Sequence, residues 1–477
     1  MPSEVELKFD LDPDGPALIG TAGALATEPV DVRDHETVYF DTPDRTLYKA
    51  GYSLRVRRSG ERCIQTIKRK NGGSVGLFVR DEWEREVPGF DIVRAELKTT
   101  ALKRILAGGG ADALVPLIRT RFQRTRWLVE RGHGRIEVAL DEGEVACAQR
   151  RAPIRELELE LLEGKPGTLF RLAKEIAAAV PLRLGVLSKG ERGYALADGL
   201  LGGAAKAEPI RVKPGMELGP AFRLIASSCL RHFRLNELAL MAGADGEAIH
   251  QARVALRRLR SAMTLFRPAL AGNDFRHLGR ELRWLTRQLG EARNLDVMAA
   301  REGEAATAAL LAARDAAHDH VRSTLRAPRA RTLLLQLALW IEGGAWRFRK
   351  RASAPLPPFA GEQLDRLWAK VQRRGSRLAE IDEDARHQLR IDVKKLRYSA
   401  EFLSGLHARK PVSRQRDAFL AAIRALQERL GELNDRRLGA PERGDGRASE
   451  AAEAREIRAS AKAFERAVGA AGYWRPA

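Results

Sequence analysis

In the first 200 residues acidic side chains recur at every second position: Glu4 and Glu6, Glu82 and Glu84, then Glu156, Glu158 and Glu160, with Glu137 and Asp141 nearby. Basic ones recur in the same rhythm. Arg55 and Arg57 form one pair, Arg119 and Arg121 another, Lys8 follows Glu6, and Lys68 stands in QTIK. A β-strand sends alternate side chains to opposite faces, so each group shares one face of one strand. Clustered carboxylates are hard oxygen ligands for Mg²⁺ or Mn²⁺, whereas clustered arginines suit phosphoryl oxygens, which a guanidinium can grip in pairs. If both kinds face one lumen, a polyanion is repelled by the carboxylates unless a divalent metal stands between them. The pattern therefore implies metal-assisted chemistry on a phosphate-bearing ligand. No GxxxxGK[ST] phosphate loop, zinc spacing or nucleophile elbow competes with that reading. The overlapping run RTRFQRTRW leaves two registers open, with either Arg119 and Arg121 or Arg124 and Arg126 turned inward.

Such residues need a scaffold that turns many strand faces toward one interior. Short alternating segments run through this part of the chain: VELKFDL, HETVYFD, YSLRVRRS, CIQTIKRK, LFVRDEWEREV, IRTRFQRTRWLVE, GRIEVALDEG and IRELELELLEG. Gly-containing turns, NGG at 71–73 and RGHGR at 131–135, separate several of them. About eight strands in hairpin order predict an antiparallel barrel or sandwich, with helices near 94–107 and 167–180. ELELEL alone would also fit an exposed edge, but five charged faces in one barrel-sized segment do not. His35 and His133 have no partner at metal-ligand spacing and read as structural.

After a Gly/Pro-rich stretch, GGAAKAEPIRVKPGMELGP, the text becomes helical in period, and ASAPLPPF at 352–359 divides it into halves. IHQARVALRRLRSAMTLF (249–266) in the first half aligns with RHQLRIDVKKLRYSAEFL (386–403) in the second, and LGEARNLD (289–296) with LGELND (430–435). An internal repeat of this length argues for two related bundles. His250, Arg253, Arg257 and Arg260 fall within roughly 80° of a helix circumference, opposite Leu256, Leu259, Met263 and Phe266. His387, Arg390, Lys394 and Arg397 repeat that stripe, with Arg258 and Lys395 at matching positions beside it. Stacked cations repel by a few tenths of a kcal/mol per pair. Two helices that accept the same repulsion at the same positions predict a bound anion.

Charge divides the same way. Residues 1–200 hold 32 Lys and Arg against 31 Asp and Glu, residues 201–477 hold 51 against 32, and the chain carries +20 in all. The excess points the second half at a polyanion. Few aromatics accompany its stripes, which argues against nucleic acid. The longest apolar run, TLLLQLALWI, is shorter than a membrane span, no signal-peptide pattern opens the chain, and three scattered cysteines form no framework. The expectation is a cytoplasmic protein without membrane contact.

EVELK, YFDTPDRTLYKAGYSLRVRR, QTIK, RDEWE, RTRFQR, EVALDEG, ELELELLEG and SKGERGY resemble, in order, the segments of the CYTH family of triphosphate tunnel metalloenzymes. The helical repeat resembles the CHAD domain, the conserved histidine α-helical domain. Together they resemble bacterial CYTH–CHAD proteins, a branch that includes inorganic triphosphatases. The resemblance implies an α+β multidomain chain: a CYTH tunnel of eight antiparallel strands with flanking helices at 1–203, a linker at 204–217, and an all-α CHAD domain at 218–477 built of two repeats, about 218–350 and 361–477. It also implies metal-dependent hydrolysis of inorganic triphosphate. Glu4, Glu6, Lys8, Glu158 and Glu160 would act in catalysis, and Arg55, Arg57, Lys68, Arg119, Arg121 and Lys189 would hold substrate. The metal ligands would come from Glu4, Glu6, Glu82, Glu84, Glu137, Asp141, Glu156, Glu158 and Glu160. The ten stripe residues would bind inorganic polyphosphate, and localisation to polyphosphate granules would follow. A nucleotide or thiamine triphosphatase, an adenylate cyclase, and a non-catalytic polyphosphate adaptor are the alternatives.

Overall fold

A computed structural model describes residues 4–69, 75–80, 82–97, 100–244, 246–378, 380–438 and 446–475; the NGG turn at 71–73 lies outside them. Ten strands pair antiparallel throughout: β1 Glu4–Leu11, β2 Asp31–Asp41, β3 Tyr52–Ser59, β4 Arg62–Arg69, β5 Leu77–Arg80, β6 Glu82–Val87, β7 Val115–Arg131, β8 Gly134–Cys147, β9 Arg150–Glu163 and β10 Leu182–Leu184. Their order is β10-β1-β9-β8-β7-β2-β3-β4-β6, and β5 pairs back onto β1. Only residue 81 separates β5 from β6, so the ladder returns to its own first strand. Counting β5 and β6 as one interrupted strand, and leaving aside the three-residue β10 that pairs with the end of β1, gives the eight strands expected from the pattern. In the β7–β8 hairpin Arg131 pairs with Gly134, and Gly132 takes the φ of +58° that a two-residue turn demands.

Register sorts the side chains. Leu7, Phe9, Ile136, Val138, Leu157 and Leu159 are buried on the outer face, where helix α1 (Gly167–Ala177) packs Leu169, Leu172 and Ile176 against β1 and β9. Val38, Phe40, Leu54, Val56, Ile67 and Val87 form a second outer core. The inner face carries the charged partners of these apolar residues. A second helix, α2 (Lys189–Ala197), lies against that inner face. Its Tyr194 and Leu196 join Tyr39, Ile118, Phe122, Val145 and Ile154 in a third core.

The second half is all α: α3 Leu218–Met241, α4 Gly246–Leu265, α5 Asn273–Gln288, α6 Gly290–Glu302, α7 Ala308–Arg326, α8 Pro328–Gly343, α9 Leu356–Gly375, α10 Glu383–Leu403, α11 Val412–Leu438 and α12 Gly446–Ala470. The chain forms two compact units, 1–207 with 227–256 and 276–344, and 208–226 with 257–275 and 345–477. The first unit thus takes the strands together with helical segments beyond 204–217. The repeats also differ: LGEARNLD falls at the break between α5 and α6, whereas LGELND lies inside the continuous α11. Among the described residues no helix is long and apolar enough to cross a membrane.

Candidate functional site

Strand pairing lays the tunnel charges out in rows. Glu6 stands opposite Glu160, and Glu160 opposite Glu137. In the next row Lys8 faces Glu158, followed by Ala139 and Arg126. In the third, Asp10, Glu156, Asp141 and Arg124 succeed one another across β1, β9, β8 and β7. Across the lumen's basic side the series continues with His35, Thr37 and Tyr39 on β2, Arg55 and Arg57 on β3, Thr66 and Lys68 on β4, and Glu82 and Glu84 on β6.

The motif SKGERGY completes the site, and each of its residues has a physical task. Ser188 caps α2 and makes a capping box with Glu191, which fixes where the helix begins. A Cβ on Gly190 would meet the Tyr39 ring at 3.0 Å, and one on Gly193 would meet Ile118 at 2.4 Å, so two glycines let the helix lie on the sheet. Tyr194 donates to Asp41 at 2.7 Å. Lys189, 5% exposed, projects its ammonium among Asp141, Glu156 and Glu158 at 2.6, 2.7 and 2.9 Å. Lys8 reaches Glu156 at 2.5 Å and Glu158 at 3.2 Å. Arg124 holds Asp141 with two nitrogens and Glu158 with one, and Arg192 bridges Asp10 at 2.7 Å and Glu156 at 3.3 Å.

Electrostatics divide this lumen. On the acidic side burial opposes ionisation of Glu156, but Lys189, Lys8 and Arg192 outweigh it and bring the carboxyl down to about 2. Burial likewise opposes ionisation of Glu158 and Asp141; Lys189 and Arg124 overcome it, and both stay low. On the basic side the balance reverses. Burial, with Arg55 and Arg124 beside it, lowers Arg57 to about 10. His35 falls to about 4 through burial, Arg57 and Arg124. Burial would raise the Tyr39 phenol, yet Arg55, Arg57 and Lys189 pull it down. All three groups respond to the positive charge of neighbouring cations. Phe122 lies beneath this region, with Arg57, Arg124 and Lys189 within 5.8, 5.8 and 5.0 Å of its ring centre and His35 stacked on it.

Most of the residues read as a lumen share this face: Glu6, Lys8, Arg55, Arg57, Lys68, Glu82, Glu137, Asp141, Glu156, Glu158, Glu160 and Lys189. Glu4 belongs to the same face of β1, although its side chain lies outside the described residues. Lys68 and Arg55 are taken by Glu82 at 3.0 and 3.8 Å, and Glu84, exposed, accepts from Thr66 at 3.0 Å. Arg119 and Arg121 are the correction. They lie on the outer face of β7 and pair with Glu36 at 2.7 and 3.1 Å, in a ladder whose charges alternate through Arg58, Glu36, Arg121 and Glu144. Odd numbers on β7 point out and even ones in, so Arg124 and Arg126 are the inward pair; Arg126 grips Asp31 and Glu137. Asp10, Tyr39, Phe122 and Arg192 went unnoticed because only the parity of their strands, or the face of α2, brings them to the site.

As metal ligands the carboxylates fall into two groups. Asp141, Glu156 and Glu158 bring oxygens within 4.8 Å of one another, but the Lys189 ammonium already sits among them, so this trio does not fit a metal as arranged. Glu6 and Glu160 do fit by donor chemistry. They stand directly opposite on paired strands, Glu6 is buried, and two carboxylates so placed offer hard oxygen donors to one divalent cation.

On α4 and α10 the apolar sides are buried as expected, through Leu256, Leu259 and Met263 and through Val393, Leu396 and Leu403. His250, Arg253, Arg257, Arg258, Arg260, Arg390, Lys394, Lys395 and Arg397 are half-buried, and His387 is exposed. Arg253 donates to the Thr286 carbonyl at 3.2 Å. Arg258 and Arg397 converge on Glu401 at 3.5 and 2.5 Å, and both lie over the Tyr398 ring. Lys395 approaches Asp392 at 3.7 Å.

Residues 2–194 match the CYTH domain and residues 224–440 the CHAD domain. The chain carries a CYTH domain followed by a CHAD domain. The chain is similar to an inorganic triphosphatase of Haemophilus influenzae, 29% identical over 204 residues, which is 41% of this chain and 55% of that protein's length. An uncharacterized protein of Mycobacterium tuberculosis is 27% identical over 435 residues, 83% of this chain and 82% of its own. Among solved structures, the CHAD domain from the plant Ricinus communis is 27% identical and covers 56% of this chain and 89% of that one, with a TM-score of 0.45.

Proposed function

We propose that the CYTH tunnel binds a linear triphosphate, inorganic triphosphate in the first place, and hydrolyses its terminal anhydride bond. The observation that carries this reading is the gathering of Arg55, Arg57, Arg124 and Lys189 on one lumen face beside a wall of buried carboxylates, with Arg57 crowded by other cations. The similarity to a triphosphatase supports it. Arg55, Arg57 and Arg124 neutralise the phosphoryl oxygens and hold the chain of phosphates in line, while Lys8 and Lys189 keep Glu156 and Glu158 ionised and in place. Water attacks the terminal phosphorus, the bridging oxygen leaves with the bonding electrons as diphosphate, and the water proton passes to solvent. Such transfer rests on positioning and charge stabilisation, so no protein nucleophile is required. Mg²⁺ or Mn²⁺ held by Glu6 and Glu160 would supply Lewis-acid neutralisation of phosphoryl charge.

The helical stripes are read as a surface for long-chain polyphosphate, on the strength of half-buried cations repeated at matching positions of α4 and α10. A cytoplasmic setting goes with both ligands and with the free cysteines Cys63, Cys147 and Cys229. The test is phosphate release from tripolyphosphate, ATP, thiamine triphosphate and long-chain polyphosphate, each with Mg²⁺ or Mn²⁺. Fastest release from tripolyphosphate supports the reading. Preference for ATP or thiamine triphosphate replaces it with a nucleotide or thiamine triphosphatase, cyclic nucleotide from ATP replaces it with a cyclase, and no release from any of them leaves an adaptor.

A further inference from the structure

A buried chain of alternating charges runs from the tunnel into α3. Glu156 accepts from Arg192, and Arg192 also donates to Asp10. Asp10 meets Arg234, which is fully buried on α3, donates to the Leu184 carbonyl at 2.8 Å and forms an ion pair with Glu237 at 2.5 Å. Glu237, also fully buried, accepts from Arg183 at 2.8 Å, and Arg183 closes the chain with a two-point contact to Asp12 at 3.1 and 3.2 Å. A second path starts one helical turn earlier. Arg231 donates to the Val186 carbonyl and, at 3.2 Å, to Glu191, the capping-box residue that fixes the turn bearing Lys189.

We infer that α3, from Arg231 to Glu237, is a positioning element of the tunnel: Arg231 and Arg234 hold, through Glu191 and Asp10, the two cations Lys189 and Arg192 that grip Glu156. Both paths end on one carboxylate from one face of one helix, since Arg231, Arg234 and Glu237 are spaced by three. Stability alone is a weak reason for this chain of charges. Well-packed apolar residues often serve a core as well as buried ion pairs, while charges fix direction and register. The tunnel is therefore incomplete without this part of the CHAD domain, and a cut at 204–217 would leave Arg183, Asp10, Arg234 and Glu237 without these buried partners.

The inference rests on the tunnel's being a tripolyphosphate site, and the experiment separates the two. Full-length Arg231→Met, Arg234→Met and Arg231→Lys are compared with Arg329→Met, which breaks an exposed pair with Glu281. Tripolyphosphate affinity with Mg²⁺, kcat and KM are measured well below each variant's own Tm, so that only folded protein is read. Arg231→Met and Arg234→Met should weaken binding about tenfold and lower kcat roughly ten- to a hundredfold, the scale of a small misplacement of a reacting group. Arg231→Lys should recover part of both, and Arg329→Met should match wild type. If Arg234→Met does not fold, the two Arg231 variants decide, because Glu191 and a carbonyl lose less than Asp10 and Glu237 do. A folded Arg231→Met with wild-type affinity and kcat overturns the inference and leaves the tunnel reading standing, even if its Tm falls. A wild type that neither binds nor cleaves tripolyphosphate removes both.

Discussion

Lys189 and Arg253 are both cations on helices, and their surroundings show two ways of handling charge. Lys189 is enclosed by three carboxylates placed by the registers of β8 and β9. Arg253 is half-buried in a row of cations one to two turns apart, and it donates to a backbone carbonyl. In the tunnel most of the positive charge is answered by the protein itself, and cations crowd one another around Arg57. Along the helices the excess belongs to the whole stripe. The first arrangement suits a short anion held in one pose, the second a polymer read by charge alone.

The sharpest way to break this contrast is at the acidic wall. Glu160→Gln should cut hydrolysis roughly a thousandfold or more, because it removes one of the two carboxylates proposed to hold the metal. Glu158→Gln should differ in kind. It takes one counter-charge from Lys8, Arg124 and Lys189, so turnover should fall while metal-free tripolyphosphate binding tightens. Phosphate-release kinetics and calorimetry on both variants check the pair; equal behaviour would dissolve the distinction between a metal carboxylate and a cation-holding one.

Next in size is reversal of the stripes. Arg253→Glu with Arg390→Glu should weaken long-chain polyphosphate about a hundredfold and leave tripolyphosphate hydrolysis unchanged. Binding to wild type should fall steeply with salt as counterions are released. Affinity titrations at several salt concentrations, with duplex DNA as competitor, measure this. Displacement of polyphosphate by DNA at equal phosphate would make the stripes a nucleic-acid surface.

Acid should unfold the tunnel in two windows. His35 takes up a proton near 6.5 when unfolded but near 4 when folded, so its part of the stability is lost as pH falls from 6.5 toward 4. Glu156 goes from an ordinary 4.5 to about 2, so its contribution is present above 4.5 and lost toward 2. His35→Gln should abolish the upper window, worth about 1 kcal/mol for a partly solvated ring. A bound polyanion should narrow that window by favouring the imidazolium. Tm against pH with and without tripolyphosphate reads both effects, and an unchanged upper window in the variant would remove His35 from the account.

Alternation made the tunnel legible because period two is visible in a single strand: Glu4 and Glu6, or Arg55 and Arg57, announce a shared face. Which face is inward is a property of the closed sheet, and RTRFQRTRW fits either register until β2 and β8 are paired with it. Asp10 illustrates a second loss. It continues the Glu4, Glu6, Lys8 face, but its meaning depends on Arg192 and on Arg234, 224 residues away. Periodicity predicts the helical stripes, whereas the grouping of 227–256 with the strands is a long-range property, joined by pairs such as Arg183 with Glu237, that no local pattern announces.

The smallest expected effect tests that parity directly. Arg119→Gln and Arg121→Gln each remove one exposed partner of Glu36, which keeps Arg58 at 2.8 Å and the other arginine. Burial raises Glu36, but Arg121 and Arg119 together hold it below the ordinary carboxylate range. Losing one of several exposed pairs should cost less than about 0.5 kcal/mol and leave tripolyphosphate affinity and kcat at wild-type values. Arg124→Gln, three residues on and one face over, should behave oppositely, because Asp141 and Glu158 lose the guanidinium that offsets their burial. It should lower both Tm and tripolyphosphate affinity. If Arg121→Gln impairs binding and Arg124→Gln does not, β7 pairs one residue out of this register, and the inward faces of β2 and β8 must be reassigned with it.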